Sequence, residues 1–230
     1  MIKPLSPTKK VIGEVEPSAG VKYVPELKES VEVTFNYTKH SDTRPSRRKE
    51  IENFYTTLKE LCMHLDVKKV LDAGCGEGFT LDRLRKEKIG IEFVGIDNSA
   101  VAINLGKKLF PGFVLKVDDI YNLSFDDSSQ DLVLCTEVLE HLKEPERAIK
   151  ELIRVSKKYI VLSVPNEPFF SFRNLLKGKH IKRLGNTPGH INWWTSLAFE
   201  KLVKKLGLKV IKIEHPFPFT LVLAEKLETN

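Results

Sequence analysis

Glu137, Glu140 and His141 fall within one short stretch just past the apolar run Leu132-Val133-Leu134-Cys135, and a second histidine, His190, stands shortly before a helical pattern. Carboxylates beside an imidazole can do chemistry in two ways. His141, with a pKa that a neighbouring acid tunes around neutrality, can take a proton from a nucleophile as general base. Alternatively, Glu137, Glu140, His141 and His190 can bind a divalent metal that lowers the pKa of a hydroxyl. A structural role stays open beside both, with the glutamates positioning the loop and His141 packed and satisfied. If the stretch begins a helical turn, Glu137 and His141 are i,i+4 neighbours with Glu140 beside them.

The other stretch able to do chemistry is Val70-Leu71-Asp72-Ala73-Gly74-Cys75-Gly76-Glu77-Gly78-Phe79. It opens as a short apolar run of the buried parallel-strand kind and turns through alternating glycines into a helical pattern. Glycines permit positive φ and let a ligand approach the backbone. The helix N-terminus offers unpaired N–H groups. The spacing meets neither the dinucleotide fingerprint nor the P-loop. Asp72, facing the turn, would repel a pyrophosphate, so a ligand with a cationic or hydrogen-bond-donating part fits better.

The elements that position these residues alternate along the chain. Apolar runs predict strands over 69–73, 91–96, 113–117, 131–135 and 158–164, with two more near 208–214 and 219–225. Helical spacing predicts helices over 46–65, 78–88, 99–109, 145–156 and 195–206. Ser46 and Thr195 are the expected N-caps of the first and last. Repeated βα units imply an α/β fold, a doubly wound and mostly parallel sheet with helices on both faces. Ligands in such sheets sit beyond the carboxyl ends of the strands. Residues 1–45 read as a mostly irregular arm and possible lid, in which Val31–Phe35 alternates like an edge strand. Residues 46–230 are expected to form one domain, with residues 165–191 an insertion that could cover an acceptor site.

Acids mark the carboxyl ends of four successive predicted strands: Asp72, Asp97, the pair Asp118-Asp119, and Glu137. A single acid there would carry little weight. Asp97 at the second strand's end can accept from both hydroxyls of a ribose.

Together these residues resemble the class I S-adenosylmethionine-dependent methyltransferases, and the glycine turn resembles their motif I. The Glu137-Val138-Leu139-Glu140-His141 signature with a distant histidine is similar to ubiquinone-pathway O-methyltransferases and to small-RNA 2′-O-methyltransferases. The resemblance implies a seven-stranded sheet with a reversed strand near its end. It implies S-adenosylmethionine as cofactor, leaving as S-adenosylhomocysteine, held by Asp72, Ala73, Gly74, Cys75, Gly76, Asp97, Asn98, Asp118, Asp119, Ile120 and Glu137. Asp97 would bind the ribose with Asn98 beside the adenine. Asp119 would accept from the adenine amino group, with Asp118 as rival for that role. Catalysis would fall to His141, Glu137, Glu140 and His190. A metal is not expected, although those same four residues could form its site.

The expected reaction is methyl transfer to an oxygen, ahead of nitrogen or carbon, of a small-molecule acceptor that could be anionic or lipid-linked. The alternatives are a metal-dependent RNA 2′-O-methyltransferase and a non-catalytic cofactor-binding partner subunit. The net charge of +6 admits an anionic or RNA acceptor. Many lysines neighbour glutamates, as in Lys59-Glu60 and Lys150-Glu151, so the basicity reads mainly as a solvated surface. The aromatic and basic insertion, with Phe169, Phe170, Arg173, Lys177 and Lys179, would suit either acceptor. No apolar run approaches the ~20 residues of a membrane helix, and residues 1–13 lack a signal peptide's apolar segment, so a cytoplasmic protein is expected. Cys62, Cys75 and Cys135 show neither metal nor disulfide spacing and are expected to be buried thiols.

Overall fold

The computed structural model describes residues 9–10 and 32–227. Seven strands form one sheet: β1 (Lys69–Ala73), β2 (Glu92–Asp97), β3 (Val114–Val117), β4 (Gln130–Thr136), β5 (Ser156–Pro165), β6 (Leu208–Glu214) and β7 (Phe219–Lys226). Their order across the sheet is β3-β2-β1-β4-β5-β7-β6. The first five run parallel. β7 is antiparallel to both of its neighbours, the reversed strand that the resemblance implied. The chain winds outward from β1 to β3 and then in the other direction from β4. The switch point therefore lies between the carboxyl ends of β1 and β4, where an open α/β sheet forms its ligand crevice.

Each buried strand feeds two cores, because successive side chains point to opposite faces. On one face Val70, Leu132, Leu134 and Val161 pack with α2 (Pro45–Cys62), α3 (Phe79–Lys86) and α4 (Ala100–Leu109). On the other, Leu71, Val133, Cys135, Ile160 and Leu162 pack with α5 (Pro145–Val155) and α7 (Ser196–Lys205). α5 buries Ala148, Ile149, Leu152 and Val155 at helical spacing. Helices thus cover both faces, as the alternation of elements predicts.

Most predicted elements form within a few residues of their expected limits. The first helix differs at its start. Pro45 occupies its first turn and Arg44 is the capping position, so Ser46 lies inside the helix. Thr195 is the cap of α7, its Oγ1 accepting from the Ala198 N–H at 3.2 Å.

The arm differs more. Its residues 1–8 and 11–31 lie outside the described residues. Of the alternating run Val31–Phe35, only Glu32–Val33 is extended, pairing with Lys9–Lys10. Thr34 then caps a helix, α1 (Phe35–Ser41), where an irregular segment was expected. Its Oγ1 accepts from the Tyr37 N–H at 3.0 Å, and that local bond favours a helical start over a continued strand. The insertion also contains a helix, α6 (Phe169–Leu176), followed by a short 3₁₀ turn, Ile181–Arg183.

Candidate functional site

The glycine turn is locked to the neighbouring strand. The N–H groups of Gly74 and Cys75 both donate to the Ile96 carbonyl, at 2.7 and 2.9 Å. The Gly76 N–H donates to Asp97 Oδ2 at 2.9 Å. Gly74 has φ +90°, and a Cβ there would stand 2.3 Å from Val138 Cγ2, a residue that follows β4. The turn is therefore open only because no side chain fills it. Asp97 Oδ1 accepts from the Ser99 N–H at 2.8 Å, so its carboxylate is fixed at the edge of the turn.

Asp72 is the most exceptional group here. Its residue is 1% exposed, yet neither carboxylate oxygen has a hydrogen-bond partner. Burial, and then the nearby Asp97 charge, push its pKa up to about 7. A buried carboxyl without a donor is costly. A ligand that brings an ammonium or another donor to this point would relieve that cost. The residues at the turn thus fit a cofactor with a cationic amino group and a ribose.

Beyond β3, Asp118 and Asp119 both face their own loop. Asp118 accepts from the Asp119 N–H and from the Ser124 N–H and hydroxyl. Asp119 Oδ1 accepts from the Tyr121 N–H at 3.0 Å. Ser124 thus makes two of the bonds that shape the loop. Asn98 is exposed and Ile120 half-buried at the same edge of the sheet.

After β4 the expected helical turn does not form. Glu137 has φ +60°, and only Leu139–His141 makes a 3₁₀ turn, so the i,i+4 relation of Glu137 to His141 is absent. Glu137 instead accepts from the Ser163 hydroxyl at 3.3 Å, and its N–H donates to that hydroxyl's oxygen at 3.1 Å. Burial raises its carboxyl pKa to about 7, with Lys39 of α1 pulling the other way. Glu140 is raised further, by burial and then by Glu137.

The chain does bring three of the four predicted residues together. Ligand atoms of Glu140, His141 and His190 lie within 4.8 Å of one another. Glu137 stands outside this set. The backbone explains the meeting of distant segments: the N–H groups of Ile191 and Asn192 donate to the Glu140 carbonyl, at 2.8 and 3.1 Å. The His141 and His190 rings meet edge to face at 4.8 Å. His141 Nδ1 lies 3.0 Å from the Gly189 carbonyl oxygen. A carbonyl can only accept, so Nδ1 carries the proton and the neutral ring keeps its lone pair on Nε2. Burial lowers the His141 pKa, and burial together with His141 lowers that of His190 to about 4. Glu140 Oε2, buried and without a partner, is a further donor atom beside them.

Sequence reasoning missed the contacts from α1. Glu77, fully buried in the turn, accepts from the Thr34 hydroxyl and from Asn36 Nδ2. His40 stacks on Phe79 at 4.2 Å. A signal that could have found them is the spacing of Phe35, Tyr37, His40 and Arg44 just ahead of the first long helix. α1 also carries Lys39, whose charge acts on both Glu137 and Glu140. All three cysteines are buried and free, and among the described residues no helix is long and apolar enough to cross a membrane.

The strand order, the glycine turn and the acids at the strand ends define a class I methyltransferase. Residues 46–213 match the family model described as "Methyltransferase domain", and the chain belongs to that family. It is an S-adenosylmethionine-dependent methyltransferase. It is 28% identical over 191 residues to the "Ubiquinone biosynthesis O-methyltransferase" of Coxiella burnetii, covering 75% of this chain and 77% of that protein. The "Ajmaline N-methyltransferase" of Rauvolfia serpentina is 29% identical over 156 residues, or 64% of this chain and 54% of that one. Among solved structures, the magnesium protoporphyrin IX methyltransferase of Synechocystis PCC 6803 with bound SAH has the same fold. It aligns with a TM-score of 0.60 at 16% identity, over 81% of this chain and 89% of that one.

Proposed function

We propose that the chain methylates an oxygen of a small-molecule acceptor, with His141 as the base that takes the hydroxyl proton. The observation carrying this reading is the bond between His141 Nδ1 and the Gly189 carbonyl. It leaves Nε2 free, and burial keeps the ring neutral at physiological pH. Such a base contributes roughly 10²- to 10⁴-fold to a rate. S-adenosylmethionine supplies a methyl group on an already activated leaving group. The protein therefore mainly aligns donor and acceptor and excludes water.

In this reading Asp72 faces the cofactor's ammonium, and Ala73, Gly74, Cys75 and Gly76 form the turn beside its methionine part. Asp97 takes the ribose hydroxyls, with Asn98 next to the adenine. Asp119 meets the adenine amino group at the Ile120 loop, and Asp118 holds that loop through Ser124. Glu137 and Glu140 position the acceptor end, and Lys39 balances their charge. The relative named as a ubiquinone biosynthesis O-methyltransferase favours an oxygen acceptor. The relative named for ajmaline keeps nitrogen in view. Buried free thiols suit a reducing compartment, which supports a cytoplasmic location.

A second reading rests on the buried, unpartnered Glu140 Oε2 beside His141 and His190. These three donors have the chemistry of a divalent-metal site. In that case His141 Nε2 would be a ligand rather than a base. Methyl transfer measured with and without EDTA, on the wild type and on His141→Ala, separates the two. A base predicts a rate that drops at least a hundredfold in the variant, unchanged cofactor binding and indifference to EDTA. Loss of activity in EDTA, restored by added Mg²⁺ or Mn²⁺, would replace the base with a metal. Full turnover by the variant would sink both. Acceptance of RNA, with a steep salt dependence, would overturn the choice of acceptor.

A further inference from the structure

The insertion after β5 has its polarity reversed. α6 buries Arg173 and Asn174 but leaves Phe169, Phe172 and Leu176 more than half exposed. These three recur at i, i+3 and i+7 and so occupy one helix face. Ile181 and Leu184, at 65% and 75% exposed, extend the apolar surface through the 3₁₀ turn. Large exposed apolar patches are informative where single exposed residues are not.

The patch is held outward by buried and half-buried polar contacts. Arg173 pairs with Glu50 of α2, with Nε donating to Oε1 at 3.0 Å. Asn174 Nδ2 donates to the Gly185 carbonyl at 2.9 Å, closing the turn onto the helix. Ser171 is tied to both Glu167 and Asn186, at 2.9 and 2.8 Å. On its inner side, Phe170 meets His190 at 5.5 Å. The same short helix thus lines the candidate site within and presents aromatic rings without.

The segment that carries the patch has charge of a single sign. Between Glu167 and Glu200 the chain contains no acidic residue, while Lys177, Lys179, Lys182 and Arg183 interleave with the apolar positions. Lys177 bonds Glu50 at 2.6 Å. Lys179 lies near enough to Arg47, Arg44, Arg173 and Lys177 that, after partial burial, their charges lower its pKa. Cations flanking an outward apolar helix face are the pattern of a segment lying in a lipid headgroup layer.

We propose that residues 169–184 are a docking surface for an anionic lipid bilayer, with Phe169, Phe172, Leu176, Ile181 and Leu184 entering the headgroup boundary and the surrounding Lys and Arg meeting lipid phosphates. The surface is peripheral, and it does not depend on which atom is methylated. It places the helix that lines the candidate site against the membrane, where an amphiphilic acceptor would partition.

The test is co-flotation of the full chain with phosphatidylcholine vesicles, with and without phosphatidylglycerol. The wild type should float with the anionic vesicles at low salt, release as salt rises, and ignore the neutral ones. Lys182→Ala with Arg183→Ala should weaken partitioning about 20- to 30-fold, because each basic residue near the surface contributes roughly fivefold. Phe172→Ser with Leu176→Ser should also release the protein at constant charge. Lys157→Ala with Lys158→Ala, at the opposite edge of the sheet, should change little. All these positions are exposed, so circular dichroism and the melting temperature should stay those of the wild type. Equal loss in the Lys182/Arg183 and Lys157/Lys158 double variants would reduce the effect to net charge and overturn the proposal. Absence of binding to anionic vesicles would overturn it as well, including the case where the patch binds RNA instead.

Discussion

Asp72→Asn probes a buried carboxyl with neither oxygen hydrogen-bonded, the least satisfied side chain among the described residues. The carboxyl pKa stands at 3.8 in an unperturbed chain and about 7 in the folded one, raised by burial and then by Asp97. The folded state therefore binds the proton more tightly than the unfolded state. Stability contributed by the protonated group is complete below about pH 4 and is lost as pH rises through 7. The full displacement corresponds to ~4 kcal/mol. Asparagine cannot ionise, but its buried amide leaves unpaired polar groups costing roughly 1–3 kcal/mol. At pH 8 without ligand, the variant should then exceed the wild type by about 1–3 kcal/mol. At pH 5 the two should converge or reverse. Thermal melts at both pH values read this directly, at roughly 2–4 °C per kcal/mol for a chain of this size. Glu137 and Glu140 titrate in the same direction, so the informative quantity is the difference between wild type and variant. Calorimetry with S-adenosylhomocysteine supplies the other half: the wild type should release a proton on binding below pH 7, and the variant should release less and bind more weakly. A variant destabilised equally at pH 5 and pH 8 would refute the idea that Asp72 is an orphaned, proton-binding carboxyl awaiting a cationic ligand.

Further tests address other parts of the site. Gly74→Ala places a methyl group 2.3 Å from Val138 Cγ2 at a backbone with φ +90°. It should cost about 1–3 kcal/mol in melts and abolish cofactor binding in calorimetry, and wild-type behaviour would mean that the turn is not closely packed. Thr34→Val removes a hydroxyl from buried Glu77 and caps α1 no longer. The expected loss is ~1–3 kcal/mol, together with faster proteolysis of α1 if that helix depends on its tie to the glycine turn. His190, with a pKa lowered to about 4, should stay neutral at pH 5 by NMR. Its folded pKa lies below its unfolded one, so it contributes a loss of stability as pH falls from 6.5 toward 4, opposite in sense to Asp72. Ordinary titration near 6.5 would show that the ring is not buried against His141.

The sheet and most of its helices are legible from periodicity because each element repeats a local rule over many residues. Leu132 and Leu134 face one core while Val133 and Cys135 face the other, so a continuous apolar run announces a strand covered on both sides. Asp72, Gly74 and Asp97 are legible for a related reason: the parallel register sets Ala73 opposite Ile96, which brings the ends of successive strands, and the acids there, to one edge. What is not legible depends on pairs far apart in sequence. Glu77 looks like an ordinary turn acid until Thr34 and Asn36 reach it across some forty residues. Glu50 looks like a surface helix acid until Arg173 and Lys177 converge on it. The i,i+4 reading of Glu137 and His141 fails because Glu137 takes a left-handed backbone, a choice that follows from its bonds to Ser163 on β5 rather than from its neighbours in sequence.

These misread segments have a position in common. The rigid sheet presents a crevice of glycine backbone and unsatisfied carboxyls, and the pieces that reach it are α1 and the loop and helix around His190 and α6. Each is short, so hydrophobic periodicity has little length in which to show itself. Each is held by buried polar bonds rather than by an apolar stripe, and such bonds need exact partners from elsewhere in the fold. α6 carries this furthest, burying Arg173 and Asn174 and turning its phenylalanines outward. In a helix that served only the core that polarity would be inverted, and the outward face is the one proposed above to meet lipid. The inner contact of Phe170 with His190 and the basic, apolar outer face make α6 the element through which acceptor choice and lipid attachment would be coupled.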